Sequence, residues 1–572
     1  MPLHSVHTFM LPLRWDYLPK GFDPSIPGSG IGNAPFDDRT KLEDFIKLLT
    51  PRQSADGNAW KRKFYRIDKK PGNFNELVYY HAHAANNFLD LQKEGETDEY
   101  TLSANKAVIY FELNNINCAI DKYIIHVVKG PNDKAVTYAL NLSGIGLHVF
   151  TTGVAVLTFT LKNCNYPNPE DILFINEFGR RIHPPFIDER TGLAGTQEKV
   201  LAGYIELNIS ALKHIPGLKE DFGRYRCLNN EQFEVHEYIN GAYRYNKIID
   251  IPEFVKKLFP QPGFVFAAGD ETGGERIRFR LLMSDRMFFQ CWYGNNRLAG
   301  SFSETTTLRN GATGYRFAQS PFWYAFMYGD KSTRNLGIGN NILMEEHLLR
   351  NTYTRWAGYG TVYGFTRDSF VCVSSDLETL TWNKVPDLSL HMQTMYYTMA
   401  VLSLAQRASV LRFSGEVAAL TDLGRKWTKE INERIQNLNL NYTEFINKIY
   451  YREITPEIQG IEIYNHFQQA MNIEPDVNDL GKEIAELYNF AMLKKQDDQT
   501  RESVWLTKIA TWFLPPTLLF SILGSNFLPE GAKFRGCPDP NTWAWIGFVA
   551  ALSLVIILCI QMFKNYSNKK DV

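Results

Sequence analysis

The segment Thr542–Phe563, TWAWIGFVAALSLVIILCIQMF, runs for 22 residues without a charge. A bilayer core needs ~20 such residues in a helix, so this stretch constrains the chain more than any other. Trp543 and Trp545 stand at its start, where an interfacial belt would be. A weaker apolar stretch, Leu506–Leu523, precedes it, with one charge, Lys508, and adjacent prolines, Pro515 and Pro516, near its middle. Proline removes a backbone donor and kinks a helix, but membrane helices tolerate it where neighbours cover the freed carbonyls. We expect both stretches, 506–523 and 542–563, to span a membrane, with a loop 524–541 between them. The loop charges Glu530, Lys533, Arg535 and Asp539 cancel, whereas the tail 564–572 carries Lys564, Lys569 and Lys570 against Asp571. That bias puts the tail in the cytoplasm, and two spans put the N-terminus there too.

The upstream chain reads as water-soluble. Mean hydropathy over the whole chain is −0.27, and 572 residues suggest about two to four domains. Lys and Arg number 61 against 62 Asp and Glu, so no bulk basic charge points to nucleic acid, and direct nucleic-acid binding is not expected. Seven cysteines without CxxC spacing read as buried free thiols in a reducing compartment. With no basic stretch before a long apolar core near Met1, no signal peptide is expected.

Before the first span the apolar residues keep helical steps. Leu480, Ile484, Leu487 and Ala491 form a row that returns to apolar at Val504 and Trp505. With Glu474-Pro475-Asp476 as its start, this predicts one stalk helix of ~50 residues over Asp476–Leu523, ~70 Å long. Such a helix needs partners, and the economical one is a second copy in a symmetric oligomer. Two further helices are expected over Leu388–Val417 and Leu423–Tyr450, and Thr455-Pro456-Glu457 reads as a helix cap with proline at the first helical position. Residues 385–505 are therefore expected to be helical.

Residues 1–384 read as a mixed α/β body. Strands are expected over Val136–Leu142, Leu147–Phe150, Val154–Leu161, Ile277–Met283 and Phe370–Ser374. Two hairpins resemble each other, Val149–Phe159 around Thr-Thr-Gly and Val362–Val373 around Thr-Arg-Asp-Ser. A subdomain boundary is placed near Asn229–Asn230.

In a strand, Arg276, Arg278 and Arg280 share one face and Ile277, Phe279 and Leu281 the other. Three guanidiniums on one face suit bidentate phosphate binding or a salt-bridged surface, and the residues alone leave both open. The glycine-rich stretch Tyr328–Asn341, with Lys331 and Arg334, reads either as a ligand loop or as a plain surface loop. His81 and His83 would offer two metal ligands from one strand face, but with no third nearby we expect a structural role. There is no GxxxxGK[ST], GxSxG or HExxH pattern, and we expect no enzyme.

The pattern Ala510, Thr511, Phe513, Pro515, Thr517, Gly524, Asn526, Phe527 resembles the first membrane helix of CorA-type magnesium transporters, which ends in Gly-Met-Asn. Here Ser525 stands for the methionine, and Leu528-Pro529-Glu530 is similar to the family's short acidic loop motif. The resemblance implies a homo-oligomeric, pentameric channel in the bacterial inner membrane. It also implies that a ring of Asn526 carboxamides meets the water shell of Mg²⁺ or another divalent cation at the outer pore mouth, with Gly524 and Glu530 beside it. Neutral oxygens suit a cation that dehydrates reluctantly, but Ser525 weakens the expectation of strict Mg²⁺ selectivity. Leu514, Thr517 and Ser521 fall on one helical face, which by resemblance lines the pore. A polar stripe of this kind otherwise joins membrane helices together.

The family's inhibitory Mg²⁺ sites use acids near the position of Asn489, and asparagine is the poorer ligand, so a different gate is expected. In length and plan the chain looks like the CorA-like effectors encoded beside type III CRISPR systems. That likeness implies an antiviral role and opening by the nucleotide messenger SAM-AMP, bound by the body. Other readings are a constitutive divalent-metal transporter and a membrane-anchored sensor without transport.

Overall fold

The computed structural model describes residues 2–18, 39–50, 59–64, 79–89, 106–129, 135–182, 200–215, 217–221, 238–239, 242–243, 251–266, 275–282, 286–330, 338–375, 381–382, 385–423, 428–524, 546–548, 550–551 and 553–554. Its centre is a branched 14-stranded sheet. The strands are β1 (Ser5–Leu18), β2 (Trp60–Arg62), β3 (Val108–Leu113), β4 (Lys122–Lys129), β5 (Val136–Phe150), β6 (Val154–Asn163), β7 (Val200–Asn208), β8 (Lys219–Asp221), β9 (Phe264–Val265), β10 (Arg276–Leu281), β11 (Phe288–Gly294), β12 (Thr352–Tyr353), β13 (Val362–Thr366) and β14 (Ser369–Ser374). The main path runs β12-β13-β14-β11-β1-β6-β5-β4-β7-β8.

Strand β1 is the axis of this sheet. One edge pairs with β6 through Ser5–Arg14. The other pairs with β11 through Ser5–Met10 and with β10 through Leu13–Leu18. Proline is disfavoured inside central strands because it cannot donate to a ladder. Pro12 falls in the gap where β1 changes partners, so the branch accommodates it. Every residue of β1 except Arg14 is buried, as expected of a strand covered on both faces.

The helices are α1 (Arg39–Leu49), α2 (Ala82–Phe88), α3 (Pro169–Gly179), α4 (Glu253–Lys256), α5 (Asn296–Ser303), α6 (Pro321–Tyr328), α7 (Asn341–Asn351), α8 (Asp387–Gln393), α9 (Met395–Leu423), α10 (Lys429–Lys448), α11 (Ile458–Ala470) and α12 (Ile473–Gly524). Phe9, Leu11, Leu13, Trp15 and Tyr17 of β1 share one apolar core with Phe45 of α1, Phe178 of α3, Phe254 of α4 and Trp323 of α6. The opposite face meets α8 and α9 and is more polar. There Gln290 donates to the Met392 carbonyl, and Thr158 and His148 bond the Tyr397 hydroxyl at 3.0 and 2.8 Å.

Several expected boundaries move. The strands expected over 136–142 and 147–150 are one strand, β5, with a register shift between Leu142 and Gly144. The strand expected over 277–283 ends at Leu281. The helix expected over 388–417 breaks at Thr394, whose hydroxyl turns back to the Leu390 carbonyl at 2.7 Å. Helix α10 starts late, after Thr428, whose side chain accepts from the Ile431 N–H at 3.3 Å. Thr455-Pro456-Glu457 is not the first turn of α11. The Thr455 hydroxyl donates to the Tyr79 carbonyl, and the helix begins at Ile458. The boundary expected near 229–230 lies outside the described residues.

The chain divides into two compact units, Met1–Ala485 and Glu486–Val572. Helices α8 to α11 therefore belong with the sheet in the first unit rather than forming a separate helical region.

Helix α12 is the expected long helix. It covers 52 residues and runs through Pro515 and Pro516 to Gly524. Its start is three residues earlier than expected, because Asn472 takes the left-handed conformation at φ 56° and turns the chain out of α11. Among the described residues no helix is long and apolar enough to cross a membrane. The first expected span, 506–523, is helical but carries Lys508 and the two prolines among its apolar residues. The second, 542–563, lies mostly outside the described residues.

Gly360 ends a short turn at φ 74°, and a Cβ there would sit 2.3 Å from the Ala299 carbonyl oxygen. Gly311 has φ 82° with nothing within 4 Å. Gly360→Ala is expected to cost about 2–4 kcal/mol and Gly311→Ala about 1–2 kcal/mol. Thermal midpoints of the two variants check this, and equal shifts would refute the clash at Gly360.

Candidate functional site: an arginine–carboxylate network

Strand β10 places Arg276, Arg278 and Arg280 opposite Leu18, Asp16 and Arg14 of β1. In an antiparallel pair, side chains opposite each other share a face, so the arginines and Asp16 meet between the sheet and α9. Asp16 accepts from Arg14 Nε at 2.9 Å, from Arg278 Nη2 at 3.4 Å and from Arg280 Nη2. Arg14 reaches on to Glu416 of α9 at 3.3 Å, and Glu416 also holds Arg412 at 2.7 Å. Of the two readings left open for this face, the geometry shows the salt-bridged one for Arg278 and Arg280. Arg276 is half-buried at the end of the row.

Burial alone would push the Asp16 carboxyl up. Arg14, Arg280, Arg278 and Arg412 overcome it and hold the carboxyl well below the usual range. Burial likewise pulls Arg280 below its ordinary value, against the attraction of Asp16.

Helix α9 also grips the two hairpins that resemble each other in the sequence. Arg412 donates to the Thr152 carbonyl in the β5–β6 turn, where Ser409 also bonds Thr152 at 2.8 Å. Arg407 donates to the Arg367 carbonyl and pairs with Asp368 at 3.2 Å in the β13–β14 turn. One helix thus carries both turn anchors and one end of the arginine network.

The other expected site residues that are described lie on other elements. Leu514, Thr517 and Ser521 lie exposed on α12 with helical spacing, and the Thr517 hydroxyl donates to the Phe513 carbonyl at 2.7 Å. Gly524 is the last residue of α12. Ser525, Asn526, Glu530, Lys331 and Arg334 lie outside the described residues. His81 and His83 are not on a strand. His81 is the N-cap of α2 and pairs with Glu453 at 2.9 Å, while its ring stacks on His83. Among the described residues no group of three or more His, Cys, Asp or Glu could hold a metal ion.

One cluster was missed in the sequence. Ser5 Oγ lies 2.8 Å from His7 Nε2, and His7 Nδ1 lies 2.7 Å from Asn176 Oδ1. Cys291 Sγ is 3.4 Å from the same ring nitrogen. A hydroxyl, an imidazole and an orienting carboxamide in line are the parts of a nucleophile relay. Ser5, His7 and Cys291 are each 0% exposed, so no substrate reaches them, and the cluster ties β1 to α3 and β11. The only local signal was the Ser-x-His alternation in β1.

No protein-family model matches the chain, and no curated protein is similar to it. Among solved structures, the CorA magnesium transporter from Methanocaldococcus jannaschii is similar at 15% identity. The match covers 36% of this chain and 69% of that one, with a TM-score of 0.18. A likeness at that level supports no argument about fold or function.

Proposed function

We propose that this chain forms a homo-oligomeric, CorA-like divalent-cation channel in the bacterial cytoplasmic membrane, opened by a nucleotide-like ligand bound to its cytoplasmic body. The observation that carries this reading is the continuity of α12. One helix begins in the body unit, passes through Pro515 and Pro516, and ends at Gly524, the first residue of Gly-Ser-Asn. Trp505, Leu506, Trp512, Phe513, Leu514 and Leu518 are exposed along it, and apolar surface of that extent calls for lipid or further copies of the chain. Thr517 and Ser521 share a face with Leu514, as a pore-lining face requires, and Asn526 follows the helix end. The tail bias of Lys564, Lys569 and Lys570 supports cytoplasmic termini. SAM-AMP is the proposed activator and Mg²⁺ the first ion to test. The arginine network is the part of the body where an anionic ligand would be sensed.

The charge of Lys508 and the proline pair in the first apolar stretch favour a second reading, a sensor that α12 merely tethers to the membrane. Ion flux through the purified protein in liposomes separates the two. With SAM-AMP present, wild type is expected to pass Mg²⁺, and Asn526→Ala is expected to pass at least about tenfold less, since the ring at the pore mouth loses its acceptors. No divalent flux from wild type with or without SAM-AMP sinks the channel. Equal flux in both conditions leaves a constitutive transporter.

A further inference from the structure

We propose that the open edge of the arginine network, Arg280 and Arg14, binds a phosphate group, and that bound phosphate and Glu416 compete for Arg14. This deepens the ligand-controlled reading above and rests on it for its consequence, though not for the binding itself.

Arg14, Arg278 and Arg280 all pair with Asp16, and Arg14 pairs with Glu416 as well. They differ in access. The Arg280 side chain is 27% exposed and that of Arg14 14%, against 7% for Arg278 and 3% for Asp16. Solvent therefore reaches the network from the Arg280–Arg14 side. The Nε of Arg280 is buried and has no hydrogen-bond partner among the described residues, so a phosphate meets it only when the part-exposed side chain turns outward from the network. An orphaned buried donor is costly, and a guanidinium fork with a spare donor matches a phosphate bidentately.

The contact that would yield is also identifiable. Arg14 is held to Asp16 at 2.9 Å but to Glu416 at only 3.3 Å, and Glu416 keeps Arg412 at 2.7 Å if Arg14 leaves. A phosphate drawing Arg14 toward Arg280 thus costs the network its longer Glu416 contact. That contact joins β1 to α9 across 402 residues of sequence. Helix α9 also holds both hairpin turns, and it precedes α10, α11 and α12 in the chain. In the ligand-controlled reading, loosening its link to the sheet is the first step from ligand to stalk.

The test uses the full-length protein in detergent, titrated calorimetrically with inorganic phosphate, pyrophosphate and AMP at ionic strength matched with sodium chloride. Wild type is expected to bind. Arg280→Gln is expected to bind at least about tenfold more weakly, and Glu416→Gln about fivefold more tightly, because the competing carboxylate is gone. AMP binding more tightly than inorganic phosphate identifies a nucleotide ligand, and equal affinity identifies a site for the phosphate group alone. No binding, equal binding by wild type and Arg280→Gln, or weaker binding by Glu416→Gln overturns the site. Binding as expected without ion flux keeps this site and loses the channel. A SAM-AMP-opened channel indifferent to Arg280→Gln keeps the channel and loses the site.

Discussion

Replacing Asp16 with Ala is expected to destabilise the protein by about 3–5 kcal/mol, the usual cost of breaking a buried ion pair from one side. Asp16 is 2% exposed and is the shared acceptor for Arg14, Arg278 and Arg280. Without it Arg14, Arg278 and Arg280 lose the acceptor they share, at a position where Arg278 is itself only 6% exposed. The cost comes from the guanidiniums left behind rather than from the lost bonds. Replacing Asp16, Arg278 and Arg280 together by apolar residues of similar volume is therefore expected to restore most of the stability. Thermal unfolding of the two variants measures this. An Asp16→Ala protein that melts with wild type, or a triple variant less stable than the single one, would show that the network is not a desolvated ion cluster.

Acid is expected to weaken the fold well above the range where carboxylates titrate. His7 is completely buried, and burial outweighs its bond to Asn176 to bring its pKa from 6.5 down to about 4. His148 falls to about 3 through burial and the nearby charge of Lys63. It is stacked on Tyr110 at 4.3 Å and bonded to the Tyr397 hydroxyl. Below pH 6.5 the unfolded chain takes up a proton at each site and the folded chain does not, so stability is complete above 6.5 and falls as pH falls toward the folded values. At pH 4 each histidine is expected to remove roughly 3 kcal/mol. Asp16, with its folded value lowered, adds a further loss only below its ordinary value of 3.8. The midpoint temperature should therefore drop steadily from pH 6.5 to 4, and His7→Asn should flatten that slope. A midpoint constant over this interval, or an unchanged slope in the variant, would refute the buried neutral imidazole.

How far each feature was legible depended on how local its cause is. The long helix was readable from Leu480, Ile484 and Ala491, which are 2%, 1% and 0% exposed. Its passage through Pro515 and Pro516 was readable only by resemblance, because propensity alone breaks the helix there. The two similar hairpins were visible as turn signals between apolar runs. Their common anchor on α9 was not, since Arg407 and Arg412 carry no local mark in the sequence of a helix whose residues 395–410 are all buried. The missed break at Thr394 has a similar origin, because the apolar periodicity runs through it unbroken.

By itself the sequence determined what repeats over a few residues. It set the alternation that puts Arg276, Arg278 and Arg280 on one face, the apolar row that begins the long helix α12, and the uncharged run over 542–563. Only the tertiary structure decided what the arginine face meets. Asp16 lies 262 residues before Arg278, and Glu416 lies 402 residues after Arg14. Strand and helix periods say which way a side chain points, but an ion pair depends on which strand lies next to it, and that is settled by the branching of the sheet around β1.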